Sequence, residues 1–121
     1  MRVVFLNRRV MPEGGVSLAG FRLATALAEA GHEATVLYSA GAPPTDPQGV
    51  GRALRADAGE AVAPARLSRE LEALDPDLVL VGSGRLADLA AAAAVAPTVL
   101  HAHMHNGVCA DSSRYWARLR R

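Results

Sequence analysis

The chain has 121 residues, a length that suits one domain. Half of them are hydrophobic but only 4% are aromatic, so the core has to be built from Ala, Val and Leu, which suits helices packed closely on a sheet better than a β-sandwich. With 13 basic against 12 acidic residues and a net charge of +1, there is no electrostatic case for nucleic acid or a membrane surface as the main partner.

Every basic side chain other than histidine is arginine, which together with the abundance of Ala, Gly and Pro reads as codon bias, not as a functional signal. The single cysteine excludes an internal disulfide and fits a reducing compartment. The apolar run Val3 to Leu6 is too short for a signal peptide. The alanine-rich run from Leu86 to Pro97 falls short of the roughly 20 residues of a membrane span, and it contains Asp88. A cytoplasmic domain without a transmembrane segment is expected.

Arg2 to Leu6 predicts a buried strand, broken by Asn7, Arg8 and Arg9 and then by Pro12 to Gly15. A helix is expected over 16–30, with Val16, Ala19, Leu23, Ala26, Leu27 and Ala30 on one face and Gly31 as its C-terminal cap. Glu33 to Tyr38 completes a βαβ unit. Ser39 to Val50 reads as an exposed loop, and Glu60 to Ala63 as a short strand. Leu67, Leu71 and Leu74 mark a helix over 66–74 that ends before Pro76. Leu78 to Val81 is apolar on both faces, as a central parallel strand must be. Gly82-Ser83-Gly84 then reads as a turn into a helix reaching about Val95, followed by a strand over 98–103 and a helix over 111–121 with Tyr115, Trp116 and Leu119 on one face. The alternation predicts a Rossmann-like parallel α/β sheet with helices on both faces and the first strand central.

In such sheets ligands bind outside the carboxyl ends of the strands, which here selects the loops 7–15, 82–84 and 103–109. Gly14 and Gly15 lead into a helix whose free amides could hold an anion such as a diphosphate; a loop that merely needs flexible backbone is the alternative. The pattern is neither the dinucleotide glycine fingerprint nor a P-loop. Ser83 either caps the next helix or touches a ligand, and capping is the simpler role.

Three of the four histidines, His101, His103 and His105, alternate ahead of Cys109. On an extended strand they would share a face and, with the cysteine, could supply four zinc ligands. Against this, the strand is expected to end near Met104, and no acidic residue stands nearby as a metal-bound base. His101 alone is most simply a packed strand-end residue and Cys109 a small buried side chain.

Read in order, three segments resemble the N-terminal domain of a glycosyltransferase of the GT-B fold, in the retaining family-4 group. They are Leu23-Ala24-Thr25-Ala26-Leu27-Ala28-Glu29-Ala30-Gly31-His32-Glu33-Ala34-Thr35-Val36, then Pro76-Asp77-Leu78-Val79-Leu80-Val81, then Pro97-Thr98-Val99-Leu100-His101-Ala102-His103. The resemblance implies that His103 contacts the donor sugar near the reacting centre, and that the Gly14-Gly15 loop approaches the donor diphosphate and the acceptor. It places His105 and Cys109 where acceptor loops vary; Ser83 and Asn106 complete the substrate-binding candidates. His101 replaces a residue that is usually Thr; Met104 stands where many members carry Asp or an aromatic, and Gly82-Ser83 where many carry His.

The expectation is a single, incomplete domain over 1–121 that forms the acceptor side of a nucleotide-sugar-dependent glycosyltransferase. It would need a C-terminal domain, or a separate partner chain, to supply most of the nucleotide site, and alone it would be inactive. The substrates implied are a nucleoside diphosphate sugar and an acceptor hydroxyl; no cofactor and no bound metal are expected. Two other readings stand beside it. One is a non-catalytic binding module of the same fold. The other is a small metal-dependent hydrolase using His101, His103, His105 and Cys109.

Overall fold

The computed structural model describes residues 1–13, 15–46, 48–54 and 63–101. In chain order the elements are β1 (Arg2–Val10), α1 (Gly15–Glu29), β2 (Glu33–Gly41), β3 (Gly51–Ala53), α2 (Pro64–Leu74), β4 (Leu78–Ser83), α3 (Leu86–Ala93) and β5 (Thr98–Leu100). The strands form one sheet in the order β3-β2-β1-β4-β5 with every pairing parallel, so β1 is central. This is the Rossmann-like α/β fold that the alternation of strands and helices predicts.

Side chains alternate across the sheet and feed two cores. Val3, Phe5 and Val36 pack with Phe21 and Ala24 of α1 on one face. Val4, Leu6, Leu37, Val79 and Val81 pack with Leu67 and Leu71 of α2 and Ala91 and Ala92 of α3 on the other. Both ends of the alternation are fully apolar because both faces are covered. Leu71 is completely buried; truncating such a leucine to alanine removes about 2–5 kcal/mol.

Several boundaries differ from the sequence reading. β1 does not stop at Leu6 but runs through Asn7, Arg8 and Arg9 to Val10. The arginines are exposed beyond the rim of the core while Val10 is buried again, so the polar residues mark the edge of the core and not the end of the strand. β2 likewise continues to Gly41, pairing with Val10. There the left-handed φ of +90° and a Cβ position that would collide with the Val10 carbonyl oxygen admit glycine alone. β3 lies just after the segment read as loop; Asp46 accepts hydrogen bonds from the backbone N–H groups of Val50 and Gly51 and sets the turn into it. The short strand expected at 60–63 falls mostly outside the described residues, and Ala63 is the N-cap of α2. The helix expected over 111–121 lies outside them altogether.

The face expected of α1 is also rotated. Ser17, Phe21 and Ala24 are its buried residues, whereas Leu23 and Ala26 are exposed; of the expected face, Leu27 does pack against the core. Phe21 is the bulkiest apolar side chain of the helix, and its burial against the β1–β2 half of the sheet sets the helix orientation. The C-terminus behaves as expected: Gly31 has φ +84°, and the His32 amide donates to the Leu27 carbonyl in a Schellman closure.

At the amino edge of the sheet, Asp77 draws β4 to β1. Its Oδ2 accepts the Arg2 backbone N–H at 2.6 Å, and its own N–H donates to the Arg2 carbonyl. The Arg2 guanidinium meets Asp75, the left-handed C-cap of α2, at 2.6 Å. The Pro76-Asp77 pair therefore ends one helix and registers the next strand. Among the described residues no helix is long and apolar enough to cross a membrane.

Candidate functional site at the carboxyl edge of the sheet

From β1 the chain winds through α1 to β2 on one side, then crosses by α2 to β4 on the other. The carboxyl ends of β1 and β4 consequently flank the point where the winding reverses, the usual position of a ligand crevice in such sheets. The first residue of α1, Gly15, follows β1 on this edge, and His101 follows β5.

The β1–β4 ladder is irregular here. Leu6 pairs with Val81 but Asn7 pairs with Ser83, so Gly82 is the extra residue of a bulge. Asn7 is 2% exposed, and its carboxamide lies between two glycines. A Cβ at Gly82 would come within 2.5 Å of Asn7 Oδ1, and one at Gly20 within 2.8 Å of Nδ2. The two glycines are the space the amide occupies. Oδ1 has no hydrogen-bond partner among the described residues. Buried polar atoms are nearly always paired, so an orphan acceptor at a ligand edge is a specific signal.

Asn7 opens on a cleft of about 80 Å³ lined by Phe5, Val16, Ala19, Leu23, Leu80 and His101, together with the two glycines. Val16, Ala19 and Leu23 are the stripe expected to face the core; instead they wall this cleft. His101 is exposed at its rim, and its backbone N–H donates to the Val81 carbonyl at 2.8 Å, which extends the β4–β5 pairing by one step. A larger groove of about 450 Å³ runs along α1 between Pro12 and Pro44-Thr45.

The loop leaving β1 is held by Ser17, whose buried Oγ accepts the Met11 N–H at 2.9 Å. Gly15 is exposed, and a Cβ there would meet nothing within 4 Å. The space above the start of α1 is thus open, and the first turn of the helix carries no acidic residue to compete for its free amides. On the opposite face of the sheet, Arg85 and Asp88 stand at the start of α3. Asp88 accepts hydrogen bonds from the Arg85 backbone N–H at 2.8 Å and from its guanidinium at 2.8 Å. Burial pushes the Asp88 carboxyl up, but the Arg85 side-chain and backbone hydrogen bonds outweigh it and hold the group below its ordinary value. The same pairing raises the Arg85 guanidinium, first through the Asp88 hydrogen bond.

The profile of Glycosyltransferase Family 4 matches residues 13–121. The chain belongs to Glycosyltransferase Family 4. No curated protein and no solved structure matches it.

For a glycosyltransferase domain of this family, the residues expected from sequence divide into three groups. Gly15 sits at the carboxyl edge, at the start of α1. Ser83 is on the same edge but inside β4, not in a cap; the N-cap of α3 is Arg85, and the carboxylate serving it comes from Asp88. This corrects the capping role, and the reason is the bulge, which carries β4 past Gly82 before the helix can begin. Gly14, His103, His105 and Asn106 lie outside the described residues, as does Cys109. Among the described residues there is no group of three His, Cys, Asp or Glu able to hold a metal ion, and of the proposed metal ligands only His101 is among them.

Sequence reading missed Asn7 and treated Gly82 as part of a turn. The available signal was an asparagine between an apolar run and two arginines, joined to a glycine after the apolar run Leu78 to Val81.

Proposed function

We propose that this chain is the acceptor-side, N-terminal domain of a retaining, nucleotide-sugar-dependent glycosyltransferase of the GT-B fold. Completed by a C-terminal donor-binding domain, it transfers a sugar from a nucleoside diphosphate to an acceptor hydroxyl. The observation that carries this reading is the family match over residues 13–121, on a parallel sheet whose carboxyl edge holds a partly apolar cleft with one buried polar group. Gly15, at the open start of α1, leaves room for the donor diphosphate to approach backbone amides, and Gly14, which precedes it in sequence, is assigned to the same role. His103 follows β5 by a few residues and serves the donor sugar near the reacting carbon; Ser83, His105 and Asn106 contribute to substrate binding around it. Most of the rate comes from stabilising the departing diphosphate, a task that falls chiefly to the C-terminal domain.

The test is transfer by this chain joined to the C-terminal domain of a family member, assayed with UDP-glucose and GDP-mannose. His103→Ala should lower turnover roughly a hundredfold or more, the size of one lost catalytic contact, while nucleotide affinity changes little. Equal turnover in the variant removes the role given to His103. Absence of transfer by every donor and acceptor combination counts against the catalytic reading.

A further inference from the structure

We infer that Asn7 is a substrate-contacting residue: on binding, its carboxamide turns towards the cleft between α1 and β4, and Oδ1, buried in the free chain, accepts a hydrogen bond from a hydroxyl of a sugar or polyol whose hydroxyl-bearing edge enters there. The inference rests on the glycosyltransferase reading and goes beyond it by naming a contact residue and the chemistry it selects.

Three observations carry it. Asn7 is 2% exposed and Oδ1 lacks a partner among the described residues, so the fold holds an acceptor away from water without satisfying it. An unmet acceptor of this kind destabilises the folded chain, and it persists where a ligand completes it. The amide is also accommodated by construction. Gly20 and Gly82 flank the amide so closely that a methyl group on either would collide with it, and the β4 bulge is centred on Gly82. Finally, the cleft has the composition of a small hydroxylated ligand's site. Phe5, Val16, Ala19, Leu23 and Leu80 offer apolar contact for C–H groups, Asn7 offers the acceptor, and His101 stands at the rim. Its size of about 80 Å³ is several times the roughly 10–15 Å³ that admits one water, which fits a hydroxyl or hydroxymethyl edge and not a whole nucleotide.

The hydroxyl can belong to the donor sugar or to the acceptor, and the two sources separate experimentally. The 121-residue chain is titrated in saturation-transfer NMR with UDP-glucose and GDP-mannose against UDP and GDP, and separately with D-glucose, D-mannose and myo-inositol. Wild type, Asn7→Leu and Gly82→Ala are compared, with thermal melting of each. Asn7→Leu keeps the shape of the side chain and removes the acceptor; Gly82→Ala keeps the asparagine and displaces Oδ1. The expected result is that at least one hydroxylated probe binds wild type and binds both variants about tenfold more weakly, the loss of one hydrogen bond to a buried acceptor. Melting of Asn7→Leu is expected at or above that of wild type. A preference for nucleotide sugars over bare nucleotides assigns the hydroxyl to the donor; binding of the free sugars or inositol without that preference assigns it to the acceptor. Unchanged affinity in the folded variants overturns the inference and leaves the glycosyltransferase reading standing. No binding of any probe to wild type overturns the inference; the glycosyltransferase reading is tested apart from it, by transfer in the chain joined to a C-terminal domain. Should Asn7→Leu fail to fold, Oδ1 supports the fold itself, and undiminished binding by Gly82→Ala overturns the inference without it.

Discussion

Asn7 and Gly82 share one space: a Cβ on the glycine would lie 2.5 Å from Oδ1 of the asparagine. The contact links the bulge in β4 to the only buried side-chain acceptor without a partner among the described residues. Gly82→Ala should therefore lower stability by about 1–3 kcal/mol, the range for an overpacked interior site. In an Asn7→Ala background, where the amide is gone, most of that loss should vanish. A double-mutant cycle by urea unfolding reads the coupling directly, and additive losses would show that the two residues do not compete for the space.

Ser17 gives a second test, aimed at the loop that leads to the candidate anion position. Its Oγ is the acceptor for the Met11 N–H and is buried against the start of α1. Ser17→Ala leaves that amide unpaired and should lower stability by about 1 kcal/mol. Faster hydrogen exchange should be confined to Met11 and its neighbours. An unchanged exchange rate at Met11 would mean that the serine does not hold the loop.

The Arg85–Asp88 pair predicts a pH dependence. The folded Asp88 carboxyl is held below its ordinary value, so the native state binds this proton less readily than the unfolded chain does. The resulting stability is fully present above the unfolded value, about pH 4, and is lost as pH falls through the folded value. Asp88→Ala also removes the carboxylate from the Arg85 N–H at the start of α3 and should reduce stability by about 1 kcal/mol at pH 7. That difference should shrink steadily in urea melts as the pH falls below about 4. A difference independent of pH would contradict the assigned ionisation.

Much of the fold was legible because its signals are local and periodic. Leu67 and Leu71 recur at helical spacing and are buried as expected; Leu78 to Val81 is apolar on both faces and lies inside the sheet. Gly31 after an alanine-rich helix is a cap that sequence alone identifies. What was not legible depends on tertiary register. The polarity of Asn7 to Arg9 looks like a strand end, yet pairing with β2 carries the strand to Val10. Val16, Ala19 and Leu23 form an apolar stripe as good as the buried one, and only the seating of Phe21 shows which of the two faces the core. The candidate site divides in the same way. Gly15 and Ser83 could be placed on the carboxyl edge by topology, whereas Asn7 becomes visible only when Gly20 and Gly82, distant in sequence, close around it.

The central claim is that the carboxyl edge of this sheet, at the junction of β1 and β4, is where a nucleotide sugar meets the chain. Backbone amide NMR during titration with UDP-glucose and GDP-mannose tests it most directly, because the two edges of the sheet carry separate reporters. The account predicts shift changes at Asn7, Gly15, Gly82 and His101, with Arg2, Asp75 and Asp77 at the amino edge unmoved. Changes centred on Arg2 and Asp77, or none at the carboxyl edge at saturating donor, would contradict it.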